Sequence, residues 1–243
     1  MTVAEAAPRA DLLDRIGRYD WTEKRGALDA EGAAVLPSLL SAAECAKLRD
    51  CYADARRFRS RVIMQRHGFG RGEYQYFDYP LPDVVQCLRE TIYPHLVPVA
   101  NAWAASRKDI HYPSTHDQFR KQCHAAGQAR PTPLLLRYGA GDYNCLHQDL
   151  YGELAFPLQV VVLLSEPGVD FDGGELVLVE QRPRMQSRAQ VVPLGQGDAV
   201  IFAVHHRPVA GKRGSYRVNL RHGVSKLHRG ERYTLGVIFH DAH

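Results

Sequence analysis

A series of short β-rich runs, separated by turn residues, fills the second half of this chain and limits its fold more than any other feature. Glycine- and aspartate-containing turns, such as residues 139–142 and 171–174, lie between the runs. Strands at this spacing, preceded by helices alone, predict a mainly β protein. The expected fold is a double-stranded β-helix, which is a jelly-roll or cupin-like barrel, braced by N-terminal helices. The predicted strands are Leu134–Tyr138, the run after residue 142, Leu158–Leu164, Glu175–Glu180, Ala189–Leu194, Gly197–Phe202, Tyr216–His222 and Arg232–Phe239.

The first half of the chain is predicted to be helical. Ser41 and Glu44 have the spacing of a capping box, so a helix is expected from there to about Phe58. A second helix is expected to start near Leu81 to Asp83 and to reach about Trp103, bent or interrupted at Pro94 and Pro98. Residues 105–132 are polar and rich in His, Gln and Pro, and we expect them to form an irregular connection or lid.

The size and composition of the chain are those of one globular domain. Its 243 residues are 45% apolar and 24% charged, which is enough for one substantial core. We expect residues 1–243 to form a single domain, with a helical N-terminal part and lid over 1–132 and the barrel core over 133–243. Apolar stretches such as Pro157–Leu164 are too short to span a bilayer, and the first thirty residues lack the order of a secretory signal. We therefore expect a cytoplasmic protein with no membrane partner.

The five cysteines argue against two classes of site. Their number is odd, they are scattered, and no C-x-x-C pair occurs, which is unlike a disulfide framework or a structural zinc site. Cys145 lies two residues before a histidine and shares its strand parity, so it could be drawn as a metal ligand. We interpret it instead as a small apolar core residue.

The run His147-Gln148-Asp149, with His222 further along, carries the strongest chemical signal. Residues i and i+2 of a strand share a face, so His147 and Asp149 can bind one metal while Gln148 points away. Two imidazoles and one carboxylate are a ligand set for mononuclear Fe(II) that leaves three positions open. The alternatives are a surface hydrogen-bonded pair for the first two residues, and His205 or His206 in place of His222.

The order of several motifs resembles that of the Fe(II)/2-oxoglutarate-dependent dioxygenases. The resemblance covers residues 134–240. It implies an enzyme that uses Fe(II), 2-oxoglutarate and O2, whose barrel holds iron through the triad. The motifs are His147-x-Asp149, Phe171-x-Gly173-Gly174-Glu175-Leu176, Gly197–Phe202, His222 and Arg232.

The same resemblance implies where the co-substrate binds. A basic residue about ten positions after the distal histidine binds the remote carboxylate of 2-oxoglutarate, and Arg232 has that offset from His222. A guanidinium matches a carboxylate with two parallel hydrogen bonds and keeps its charge when buried. Thr234 shares strand parity with Arg232 and can reach the same carboxylate, and Tyr138 is a second donor by resemblance. The alternative for Arg232 is an ordinary solvated strand charge.

The substrate class is left with three alternatives. The segments from Arg221 to Ser225, Arg232 to Gly236 and Phe239 to Asp241 resemble a bacterial group of distant AlkB-type oxygenases, which are linked to oxidative demethylation of alkylated DNA. Hydroxylation of an N-methyl group releases formaldehyde. In AlkB an Arg-x-Asn motif lies after the distal histidine, whereas here Arg217-Val218-Asn219 lies before it. A prolyl-hydroxylase-like protein or small-molecule hydroxylase is the second alternative, and a non-redox cupin-type binding protein is the third.

An arginine-rich segment is the candidate substrate contact. Six arginines and no acidic residue lie between Arg56 and Arg71, and aromatic residues follow directly. Proteins hold single strands and flipped bases with cationic side chains beside aromatic rings on which the bases stack. We therefore predict a lid over the barrel mouth that binds alkylated single-stranded DNA or a nucleobase; the alternative is a solvated helix end followed by core-packing aromatics. The predicted contacts are Arg61, Arg66, Tyr74 and Tyr76.

Overall fold

A computed structural model describes residues 3–105, 107, 110–150, 152–211 and 214–243. The helices lie in the first half of the chain, as the sequence predicts. None of the described helices is both long and apolar enough to cross a membrane. The α-helices are α1 (Val3–Gly17), α2 (Trp21–Glu31), α3 (Ala42–Cys51), α4 (Asp83–Trp103) and α5 (His116–Ala125).

Short β-strands make up most of the remaining structure. Four of them precede residue 80, and the other ten follow residue 133. They are β1 (Ala33–Leu36), β2 (Phe58–Ile63), β3 (Gly70–Arg71), β4 (Glu73–Phe77), β5 (Leu134–Gly139), β6 (Tyr143–His147), β7 (Leu158–Leu163), β8 (Phe171–Gly173), β9 (Leu176–Gln181), β10 (Arg188–Val192), β11 (Ala199–Ala203), β12 (His206–Gly211), β13 (Gly214–Val224) and β14 (Leu227–Val237).

The strands form two antiparallel sheets that face each other. The major sheet has the order β1-β11-β7-β14-β5-β4-β2, with β8 paired to β14. The minor sheet has the order β10-β9-β13-β6-β3, with β12 paired to β13. Side chains from the inner faces of both sheets line one cavity. This is the predicted double-stranded β-helix, and the fold class is confirmed.

The helices cover the outer face of the major sheet. Strand side chains such as Val160 and Leu235 pack there in the same core cluster as Leu88 and Ile92 of α4. The burial of strand side chains on both faces of this sheet explains the continuous apolar run in β7. The helical layer therefore packs on the sheet whose other face lines the inner cavity.

The predicted end of the first helix is wrong. Ser41 caps α3 with a full capping box to Glu44, as predicted, but the helix ends at Cys51. Phe58 begins β2, and its ring stacks on Phe77 of β4 with centroids 4.8 Å apart. The segment that was predicted as a helix end and lid is therefore largely a β-hairpin, and β1, β2 and β4 add to the major sheet. The N-terminal part of the chain is not helical alone.

Two other expectations need correction. Helix α4 has the predicted bounds, but it continues through Pro94 and Pro98 without interruption. Residues 105–132 were expected to be irregular, yet α5 lies within them. Thr115 caps α5 by accepting a hydrogen bond from the backbone amide of Gln118. A polar residue before a buried helical face is an N-cap signal that composition alone hides.

Candidate active site

His147, Asp149 and His222 meet at one end of the cavity. Each offers one donor atom, and these atoms all lie within 4.8 Å of one another. Asp149 Oδ1 is 3.4 Å from His147 Nε2, and Asp149 Oδ2 is 3.2 Å from His222 Nε2. His147 and His222 are register partners on β6 and β13. The structure therefore brings together the three residues that the sequence predicts as metal ligands.

The route by which Asp149 reaches the site differs from the prediction. Strand β6 ends at His147, so Asp149 lies on the following loop and not on the same strand face. Gln148 points away from the site, as predicted, and its amide donates a 2.6 Å hydrogen bond to the Leu220 carbonyl of β13. This bond holds the start of the loop against the strand that carries His222.

The pKa values of the two imidazoles are shifted in opposite directions. His147 Nδ1 lies 2.8 Å from the Cys145 carbonyl, so a proton on Nδ1 leaves the Nε2 lone pair directed at the site. Burial lowers the pKa of His147, but the hydrogen bond and charge of Asp149 more than offset this and raise it above 6.5. Burial lowers the pKa of His222. Burial opposes ionisation of Asp149, yet the facing imidazoles hold its pKa well below the usual range.

Gln159 is a fourth polar group at this site that the sequence analysis missed. It lies on β7 and is 2% exposed. Its Nε2 donates to Asp149 Oδ2 at 2.9 Å and lies 3.3 Å from His222 Nε2. The carbonyl Oε1 is buried and has no hydrogen-bond partner among the described residues. The only sequence signal was one polar residue inside the apolar run of β7.

Arg232 is buried and forms no ion pair with any residue that the structure describes. Only 2% of it is exposed, and its Nε and Nη1 donate no hydrogen bond to any described residue. The guanidinium lies 5.7 Å from the Tyr138 ring centroid and 5.9 Å from that of Phe171. Burial lowers its pKa to about 10, so the group is charged at neutral pH. A buried cation with unused donors needs an anion, and the remote carboxylate of 2-oxoglutarate fits it.

The other two predicted co-substrate residues lie beside Arg232. Thr234 lies two residues after Arg232 on the inner face of β14. Tyr138 on β5 is the register partner of Arg232. Tyr138 is fully buried, and its hydroxyl accepts a 3.3 Å hydrogen bond from the Asn144 amide. Burial raises the pKa of Tyr138, so its hydroxyl keeps its proton as a donor. Arg232, Thr234, Tyr138 and Asn144 line the same cavity of about 390 Å³ as the triad.

The predicted substrate contacts are only partly at this cavity. Tyr74 lines it, whereas Arg61, Arg66 and Tyr76 are not among its lining residues. Arg61 forms an ion pair with Glu73 on the neighbouring strand. Arg66 is exposed in the short 3-10 turn Met64–His67, and Tyr76 is buried under the Arg59 guanidinium, which lies 4.5 Å from its ring centroid.

The rival ligands are elsewhere. The ring centroids of His205 and His206 lie 3.4 Å apart with their planes inclined by 54°, and neither residue belongs to the triad. Cys145 is exposed, so its interpretation as a core residue is wrong. A register shift between the pairs His222–His147 and Val224–Asn144 places an additional residue in this part of β6. At this bulge Cys145 is exposed, and its carbonyl lies 2.8 Å from His147 Nδ1.

Comparison with known proteins identifies the family. A family model described as "Oxygenase, catalysing oxidative methylation of damaged DNA" and named Oxygenase-NA matches residues 72–242. Two uncharacterised proteins of Mycobacterium tuberculosis, from strains CDC 1551 and H37Rv, are each 50% identical to this chain over 167 residues. The match covers 68% of this chain and 72% of each relative.

Solved structures share the fold at low sequence identity. A prolyl-4-hydroxylase from Pseudomonas putida is 18% identical with a TM-score of 0.52, over 92% of this chain and 100% of that one. A prolyl hydroxylase from Trichoplax adhaerens, in complex with a hypoxia inducible factor peptide fragment, is 12% identical with a TM-score of 0.57, over 99% and 94%. The donor set and the buried guanidinium fit Fe(II) and 2-oxoglutarate, with O2 as the third reactant. The chain belongs to the Oxygenase-NA family, and it is an Fe(II)- and 2-oxoglutarate-dependent oxygenase.

Proposed function

We propose that this protein hydroxylates an N-methyl group on a damaged nucleic-acid base and so removes it. One observation carries the reaction class. The three donor atoms of His147, Asp149 and His222 face the same cavity as Arg232, whose Nε and Nη1 have no hydrogen-bond partner among the described residues. A binding module of the cupin type has no need of a buried, uncompensated cation beside a metal site.

Each residue has a role that follows from its surroundings. His147, Asp149 and His222 would hold the iron, and Arg232 with Thr234 would bind the remote carboxylate of 2-oxoglutarate. When bound, these groups activate O2, so that one oxygen atom enters succinate, with loss of CO2, and the other enters a substrate C–H bond. Apolar lining residues such as Leu136, Leu176 and Ile238 exclude water around the reacting groups.

The choice of substrate rests on two observations. The family description names damaged DNA, and the match covers every strand from β4 onward. The cavity wall also includes the aromatic ring of Tyr74. A flipped base is commonly held against such a ring. Hydroxylation of an N-methyl carbon gives a hydroxymethyl group, which breaks down to formaldehyde and the free base nitrogen. Removal of the methyl group is therefore the outcome that we expect from this site.

The test follows succinate and formaldehyde together. We expect both products, in equal amounts, from Fe(II), 2-oxoglutarate, O2 and an N-methylated single-stranded oligonucleotide. The unmethylated oligonucleotide is the matched substrate control, and His147→Ala is expected to abolish product. A proline-containing peptide serves as the competing substrate. Succinate with the peptide but not with the methylated strand would assign a protein hydroxylase instead, and no succinate with any substrate would contradict an oxygenase of either kind.

The co-substrate assignment is tested separately. Arg232→Lys keeps a positive charge but loses the planar pair of donors, so we expect at least about a tenfold weaker binding of 2-oxoglutarate, corresponding to roughly 1.4 kcal/mol. Arg229→Ala, on the same strand but exposed and paired with Asp172, is the matched control. Calorimetric titration with Mn(II)-loaded protein measures binding without turnover. Equal affinities for wild type and Arg232→Lys would remove Arg232 from the co-substrate site.

A further inference from the structure

A turn between two glycines lies at one edge of the cavity opening. Gly68 and Phe69 line the cavity, and Gly70 begins β3, which pairs with the edge of β6. The carbonyl of Phe69 accepts a 2.9 Å hydrogen bond from the Cys145 amide. Gly70 has a φ of 123°, and a Cβ placed on it would lie 2.4 Å from the Tyr143 carbonyl oxygen. Only glycine allows this close approach, so the turn is held firmly against β6.

Several apolar side chains at this edge of the cavity are exposed to solvent. Phe69 is 47% exposed, and its ring stacks on His67 with centroids 5.3 Å apart and planes inclined by 23°. Leu146 and Leu150 also line the cavity and are 46% and 51% exposed. Exposed apolar side chains grouped beside a cavity are typical of a binding surface. We call His67, Phe69, Leu146 and Leu150 the lip.

Cations without strong partners surround the lip. Arg66 adjoins His67, and Arg221 shares a surface depression with Leu146. Neither forms an ion pair with any residue in the described ranges, and the nearest carboxylate oxygen to Arg71 is that of Asp142, 3.9 Å away. Some arginines elsewhere on the surface form close ion pairs, as Arg229 does with Asp172. The electrostatic potential at the lip therefore favours an anionic partner.

We infer that the lip and its three arginines bind the nucleotides that flank the target base in a single-stranded nucleic acid. This inference rests on the proposed function and specifies its substrate as a strand rather than a free base. The stacked pair of Phe69 and His67 offers a flat face to a neighbouring base, while Arg66, Arg71 and Arg221 lie where the backbone phosphates would pass. Stacked rings, together with arginines that have no close ion pair among the described residues, favour a nucleic acid over a peptide, which carries no regular negative charge.

The experiment measures binding without turnover. A fluorescently labelled, unmethylated single strand is titrated at several salt concentrations, so the result does not depend on whether the chain oxidises methylated DNA. Phe69→Ala is expected to weaken binding about 5- to 150-fold with an unchanged salt slope, which corresponds to the loss of one stacked base. Arg71→Ala with Arg221→Ala is expected to reduce the slope of log affinity against log salt by about 1.4.

Matched controls lie on the opposite side of the major sheet. Leu13 is 42% exposed and Arg18 is exposed, both at the end of α1 or just beyond it. Leu13→Ala and Arg18→Ala are expected to leave binding and its salt slope unchanged, and thermal unfolding checks that all variants fold. Phe69→Trp, which keeps a stacking ring, should bind at least as well as wild type. Equal affinity for Phe69→Ala and wild type, or weakening by the controls as large as by the lip variants, would overturn the inference.

Discussion

Among single residues, Gln159 shows how a ligand is held in place by a neighbour that does not need to touch the metal. Its amide donates to one oxygen of Asp149, on a loop that begins where strand β6 ends. A loop carboxylate has more freedom than one on a strand, so it needs an additional restraint. Hydrogen bonds of this kind orient the ligands of metal sites and tune their affinity.

We therefore expect Gln159→Leu to weaken metal binding about 10- to 100-fold, because the Asp149 carboxylate loses the donor that fixes it. Titration with Co(II) in the absence of 2-oxoglutarate gives the affinity, and the visible absorption of the bound Co(II) reports the ligand geometry. Gln190→Leu, an exposed glutamine on β10, is the matched control. If Gln159→Leu binds Co(II) with wild-type affinity and spectrum, Gln159 is only a packing residue.

At the scale of elements, the turn between β8 and β9 sets the position of Arg232. Gly174 has a φ of 65°, and a Cβ on it would lie 2.5 Å from a methyl carbon of Leu227 and 3.0 Å from Cδ of Arg232. The backbone of this turn therefore packs directly on the arginine stem. The predicted tight turn beside the site is present, and its glycine makes room for the guanidinium.

Two glycine-to-alanine substitutions should have opposite effects. Gly174→Ala is expected to destabilise the protein and to weaken 2-oxoglutarate binding, since the methyl group displaces Arg232. Gly26→Ala lies in α2 with open space around it, and we expect it to stabilise the protein by about 0.5–1 kcal/mol without altering that binding. Urea unfolding and calorimetry measure the two quantities. Unchanged co-substrate affinity in Gly174→Ala would show that the turn does not position Arg232.

The sequence predicts elements well where the signals are local. The strands after Pro133 are separated by turn residues, so their order and approximate bounds follow from the chain itself. Strands β1 and β2 lack this support. β1 has four residues and pairs with β11, far along the chain, as in Ala34 with Ile201. Such a strand is stabilised by its partners and not by its own residues, so pattern reasoning does not detect it.

The same distinction applies to the site. Residue type and order were sufficient to single out His147, Asp149 and His222, which the fold brings together, and Arg232, which it buries beside the same cavity. Gln159 and the lip were missed, since their significance comes from neighbours that only the folded chain brings close. The arginine-rich segment shows the converse. Once β2 and β4 pair, Arg61 forms an ion pair and Arg59 contacts an aromatic ring. His67 and Phe69 of the same segment belong to the lip.

For the molecule as a whole, buried histidines couple stability to pH. His116 and His240 are almost fully buried, and burial, with the nearby charge of Arg89, lowers their pKa values to about 3 and about 4. In the unfolded chain both groups have a pKa near 6.5. The unfolded state therefore binds more protons below pH 6.5, and the stability present above that pH is lost as the pH falls toward 4.

We expect the free energy of unfolding of metal-free protein to fall by up to about 1.4 kcal/mol per pH unit for each of these histidines over that range. In His116→Gln the amide can still donate to the Phe239 carbonyl that His116 Nε2 contacts at 2.9 Å. Its stability should therefore decline less steeply than that of wild type. Urea unfolding at pH 7.0 and 5.5 makes the comparison, and equal slopes for the two proteins would contradict the assignment.

The two edge strands of the major sheet indicate how far the enzyme can be shortened from its N-terminal side. The family match begins at residue 72, whereas β1 and β2 lie before that position at the two ends of the sheet. A fragment that starts at residue 72 would leave the backbone amides and carbonyls of β11 and β4 unpaired along two open borders. Such borders recruit strands from other molecules. We therefore expect this fragment to self-associate although it keeps His147, Asp149 and His222, and we expect a stable form of the enzyme to include β1.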